Sequence, residues 1–187
     1  MYHRLISHLF AFSVLALLFV SFRPAQEVYP EKLSWKTHFR GKPDYNSPFA
    51  ALTVLRWHYE YKARIVNGRL EVRFSQLFGM DKNKSWVKPE RIRNQAVSDQ
   101  LLHHEQGHAD IHYLMYREAK RVMENRTYRV ETYKKEIATL ADEVGKYFDE
   151  MQKRYDEETG HGNNFKKQAQ WDEIIANWRY ENYITEK

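Results

Sequence analysis

The run His104-Glu105-Gln106-Gly107-His108 has the residue types and spacing to hold a metal ion and to work on water beside it. On an α-helix, residues four apart stack on one face with their Cβ atoms about 6 Å apart, so both imidazoles can aim at one ion. Glu105 stands one step round the helix, near the ion but off the ligand face, where a carboxylate can take a proton from water. Zinc lowers the pKa of such a water from about 16 towards 7, so a carboxylate suffices as the base. Gly107 leaves room for a strand or a substrate to come close to the helix. The chemistry this set points to is metal-assisted hydrolysis.

A catalytic zinc commonly takes three protein ligands. The chain has no cysteine, which excludes thiolate ligands, disulfides and a cysteine nucleophile. His112 lies one step further along the stack, but it is about 12 Å along the axis from His104. The two cannot both approach one ion to about 2.1 Å. His103 points off the stripe. Two sources then remain. If the motif helix and the next form an antiparallel hairpin turning near residue 127, residues 147–151 fall opposite the motif. Asp149 and Glu150 are then carboxylate candidates. The other source is His161, in the loop Thr159-Gly160-His161-Gly162.

These residues need a scaffold. Val97, Leu101, His104, His108, Ile111, Met115 and Val122 recur at three- and four-residue steps, one inward stripe on a long helix with Ser98 or a neighbour as its cap. Val130, Tyr133, Ile137, Leu140, Val144, Tyr147 and Met151 follow the same rhythm on a second helix. A third carries Phe165, Trp171, Ile174, Ile175 and Trp178. Residues 27–89 have strand texture instead. Leu33-Ser34-Trp35 alternates, residues 50–61 are rich in aromatic and β-branched side chains, and Ser85-Trp86-Val87 is a short strand ended by Pro89. Asn67-Gly68 between alternating runs is a hairpin signal. The expected fold class is α+β: a small, mostly antiparallel sheet of three or four strands, then a long helical hairpin carrying the motif, then a C-terminal helix.

The 187 residues suffice for one domain with a real core. The net charge of +5 comes from Lys and Arg scattered among acids, so the composition argues against a nucleic-acid partner. Residues 1–26 read as a signal peptide or N-terminal anchor: Arg4 precedes an apolar stretch over residues 9–22. The functional domain then spans residues 27–187 and lies outside the cytoplasm, periplasmic or secreted, touching a membrane only through an uncleaved N-terminal segment.

Several blocks resemble the bacterial family called domain of unknown function 922, whose members are described as secreted zinc-dependent proteases. They include Leu33-Ser34-Trp35, Ala50-Ala51-Leu52-Thr53, Ser85-Trp86-Val87, and above all the stretch from Leu101 through His108 to Ile111. The other specific block is Tyr155-Asp156-Glu157-Glu158-Thr159-Gly160-His161-Gly162. The family has Phe at the position of Ala109, a packing change that leaves the ligands untouched. The resemblance implies a zincin-like fold and Zn2+ on His104, His108 and His161. It makes Glu105 the general base, Tyr155 a candidate donor to the oxyanion, and Asp156 a hydrogen-bond partner of a ligating histidine. The expected activity is an exported metallopeptidase whose substrate is an extended peptide or protein. Alternatives are a zinc hydrolase for another amide or ester, or a metal-stabilised binding protein without turnover.

Overall fold

The computed structural model describes residues 30–184, with side chains through residue 179. The expected signal or anchor segment lies outside the described residues. Among those described, no helix is long and apolar enough to cross a membrane.

The fold is α+β. Its short elements are α1 (Trp35–His38), β1 (Ala51–Leu52) and β4 (Trp86–Val87). Between the last two runs a ribbon of β2 (Leu55–Val66) and β3 (Arg69–Met80). A 3-10 turn at Pro89–Ile92 leads into α2 (Gln95–Glu124), then α3 (Tyr133–Thr159) and α4 (Phe165–Ile184). Asn67 and Gly68 both have positive φ, 51° and 76°, the backbone a two-residue I′ turn demands. That turn sets a register in which Tyr61 faces Phe74 and Trp57 faces Phe78.

Three expectations are corrected here. The strands do not join one sheet: β1 pairs with β4 and β2 with β3, as two separate two-stranded antiparallel sheets. The ribbon needs no third strand because its aromatic face is covered by the helices, with Trp57, Tyr59, Tyr61 and Phe74 packed on Met123, Tyr128 and Ile137. Leu33-Ser34-Trp35 is not a strand but leads into α1. Here Leu33 is buried, its N–H donates to Gln106 Oε1 at 2.8 Å, and the Trp35 indole donates to Ser98 Oγ at 3.0 Å. Ser98 is therefore a partner of Trp35. The cap of α2 is Asn94, whose side chain accepts from Val97 N at 3.2 Å.

The helices close over a core of Ile111, Leu114, Phe148, Tyr155, Trp171 and Ile175. Each such side chain contributes about 1.5–3 kcal/mol on burial. On α3 the inward position is Phe148, and its neighbour Tyr147 is exposed. Phe165, expected inside, is also exposed.

Candidate metal centre

α2 brings His104 and Glu105 into the interior, 2% and 5% exposed, with the half-buried His108 one turn on. All three line a cleft of about 540 Å3 between the helices and the segment at residues 48–55. Thr53, in the link between β1 and β2, donates its hydroxyl to Glu105 Oε2 at 2.5 Å. That link is itself pinned. Val54 N donates to Ser85 Oγ at 2.9 Å, and Ser85 Oγ donates to the Asp81 carbonyl at 2.8 Å.

α3 supplies the opposite wall. Asp156 Oδ1 lies 3.1 Å from His104 Nε2, 3.0 Å from His108 Nε2 and 3.2 Å from His161 Nδ1. His161 reaches it because α3 ends in a Schellman motif. Gly160 takes the left-handed conformation at φ 56°, its N–H bonds the Glu157 carbonyl, and His161 N bonds the Asp156 carbonyl at 2.9 Å. The reversal folds His161 back over the turn that carries Asp156. His161 is itself left-handed at φ 52°, a conformation that costs a non-glycine residue roughly 1 kcal/mol or more.

The outer nitrogens of both motif histidines are engaged by glutamines. Gln152 Nε2 donates to the His108 carbonyl at 3.0 Å, so its Oε1 is the acceptor facing His108 Nδ1 at 2.6 Å. Gln168 Nε2 donates to Asp172 Oδ1 and to the Tyr155 hydroxyl, so its Oε1 accepts from His104 Nδ1 at 3.3 Å. With Nδ1 protonated on each ring, a neutral imidazole turns a lone pair on Nε2 towards Asp156. Two lone pairs facing a carboxylate oxygen at about 3 Å repel unless a proton or a cation lies between them. The ligand atoms of His104, His108 and Asp156 all lie within 4.8 Å of one another. Two imidazoles and a carboxylate are a donor set suited to zinc, so these residues fit the ion.

The electrostatics agree. Burial pulls the His108 imidazole down, but the hydrogen bond to Asp156 and the charges of Glu105 and Asp156 outweigh it, and His108 binds its proton more tightly than usual. Burial pushes Asp156 up, yet its bonds to His104 and His108 hold it well below the usual carboxylate range.

Other expected site residues lie elsewhere. Tyr155 is fully buried and stacks on His104 with ring centroids 4.7 Å apart. Its hydroxyl donates to the His104 carbonyl at 2.9 Å and so turns away from the cleft. Gly107 faces this tyrosine and not a substrate strand: a Cβ there would sit 2.1 Å from Tyr155 Oη. Glu150 points to Lys153 at 2.6 Å, and Asp149 lines the cleft without joining the histidines. The hairpin midpoint falls near residue 130, not 127, because residues 125–132 carry the chain on while Tyr128 packs back on Met123. The opposing carboxylate is therefore Asp156. His103 is half-exposed and pairs with Asp172 at 2.9 Å. Thr53, Gln152 and Gln168 escaped the sequence reading, since each matters through its partner across the fold and none carries a local signal.

The chain matches, over residues 29–162, the family described as a bacterial protein of unknown function (DUF922). No curated protein and no solved structure matches it. The matched stretch runs from the start of the fold through Thr53, the α2 motif, Asp156 and His161, and stops short of α4 and Gln168. With most of its length inside that match, the chain belongs to this bacterial family of unknown function.

Proposed function

We propose that this protein is a zincin-like, zinc-dependent metallopeptidase acting outside the cytoplasm. One observation carries the reading: three imidazole nitrogens converge on one oxygen of Asp156, and a second carboxylate, Glu105, faces the same cleft. His104, His108 and Asp156 would hold the ion as its three protein ligands, and His161, expected from the resemblance as the third ligand, would instead brace the Asp156 carboxylate from its loop. Zinc held there supplies Lewis acidity to a carbonyl in the cleft and acidifies water beside Glu105.

The chain's own residues do the rest. Glu105 takes the proton of the attacking water and returns it to the leaving amine. Thr53 holds that carboxylate in one orientation, and the buried setting keeps bulk water from competing. β1 pairs with β4 along one edge, and residues 50–53 line the cleft, so an extended peptide can add along the other edge. The extracytoplasmic location rests on the apolar N-terminal segment.

The test is Glu105→Gln in zinc-loaded protein assayed on a peptide library. Zinc content should stay the same while turnover falls by roughly 10²–10⁴-fold. Full turnover in the variant overturns the mechanism, and wild-type protein that takes up no stoichiometric metal overturns the whole reading.

A further inference from the structure

Past His108 the cleft continues along the groove between α2 and α3. Its floor there is apolar, made by the buried Met115 and Phe148. One wall is His112, 9% exposed, and Asp149 stands at the mouth. The His112 ring hydrogen-bonds the Arg56 backbone, and its Nε2 is buried with no hydrogen-bond partner among the described residues. Burial pushes this imidazole below its usual range, against the Arg56 carbonyl and the Asp149 charge. Its ring is therefore uncharged near neutral pH, and Nε2 offers a lone pair. Asp149 adds a carboxylate for which no ion pair forms among the described residues, because Lys153 is taken by Glu150. The neighbouring amide of Gln152 is committed to His108. The recess thus offers two hydrogen-bond acceptors above an apolar floor.

We propose that this recess is a subsite for a long cationic side chain, arginine or lysine, of a peptide bound in the cleft. The methylenes would lie on Met115 and Phe148, and the N–H groups would meet Asp149 at the mouth and His112 Nε2 in the wall. A carboxylate side chain would be repelled by Asp149, and a purely apolar one would leave His112 Nε2 unpaired as before. The inference rests on the reading of the cleft as a peptide site.

Two measurements test it. Blocked hexaalanine peptides carrying Arg, Lys, norleucine or Glu at each position in turn are titrated into zinc-loaded Glu105→Gln protein, which binds without turnover. Arg and Lys should bind roughly two- to fivefold tighter than norleucine at one position, with Glu weakest. Asp149→Asn should bring the Arg-to-norleucine ratio close to one, and Asp149→Lys, at an exposed site, should favour Glu. Glu150→Gln, outside the cleft, should leave the ratio as it is. Equal binding of Arg and norleucine, or a preference that survives Asp149→Asn, overturns the subsite. The same peptides are then given to wild-type protein. Cleavage without a basic preference rejects the subsite and spares the peptidase reading. Basic-selective binding that depends on Asp149, with no cleavage of any peptide, supports the subsite and rejects the peptidase.

Discussion

Gln152 grips His108 from two sides, accepting from its ring Nδ1 at 2.6 Å and donating to its backbone carbonyl at 3.0 Å. The pair fixes both the tautomer and the angle at which Nε2 meets Asp156. Gln152→Leu should therefore weaken zinc binding by roughly 10–100-fold, the usual cost of losing such a partner. Competition against a chromophoric chelator measures it, and an unchanged Kd would remove Gln152 from the centre.

Asp156 is the residue on which the histidines converge. Asp156→Ala should lower zinc affinity more than Gln152→Leu does, since it removes a charge and a donor together. Glu150→Ala, on the same helix but paired with Lys153, should leave affinity alone. The reverse ranking in the same chelator assay would return the third corner of the site to the outer carboxylates.

Thr53 hydrogen-bonds Glu105 and, among the described residues, no histidine, so its loss should separate turnover from metal binding. Thr53→Val keeps the shape and removes the donor. If peptides are cleaved, kcat should fall by roughly tenfold, about 1.4 kcal/mol of barrier, while zinc stoichiometry and KM hold. A loss of zinc would show that the hydroxyl supports the fold of the site instead.

Gly107 is a clearance position. Gly107→Ala gains about 1 kcal/mol in helix propensity. The new methyl would meet Tyr155 Oη at 2.1 Å and Cζ at 2.6 Å, both on a fully buried ring. Overpacking of this kind typically costs about 1–3 kcal/mol. A net fall in denaturation midpoint is expected, with partial recovery in the double variant with Tyr155→Phe. A variant more stable than wild type would mean that the ring moves aside freely.

Metal-free and metal-loaded protein should respond oppositely to pH. His108 binds its proton more tightly in the folded state, so its contribution is complete below about pH 6.5 and is lost as pH climbs through the raised folded value. Asp156 is depressed, so its contribution is present above about pH 3.9 and is lost as pH falls through the lowered value. Metal-free protein should thus melt highest between about pH 4 and 6.5 and lower at pH 8. Zinc competes with the same protons, so the loaded protein should gain Tm from about pH 6 to 8. Parallel calorimetric profiles would rule the linkage out.

The helices were legible because their apolar spacing repeats over many turns, and the ribbon because Asn67-Gly68 leaves little choice of turn. The inward aim of His104 and His108 followed from helix phase alone. The rest depended on geometry between elements. Asp156 faces the motif because the connection at residues 125–132 shifts the hairpin register, and no local pattern encodes that shift. A single alternation such as Leu33-Ser34-Trp35 is too short to distinguish a strand from one helical turn. The separation of the two small sheets depends on the helices covering the ribbon, which strand propensity does not reveal.

The family match ends at residue 162, yet α4 reaches back into the centre. Gln168 orients His104 while Trp171 and Ile175 fill the main core. A fragment trimmed to the family boundary would keep every residue of the recognisable signature. It would also lose the amide that selects the His104 tautomer and open a large hole beneath the stacked Tyr155. The smallest piece of this chain that keeps the core and the proposed metal centre whole therefore extends past its recognisable part, through α4.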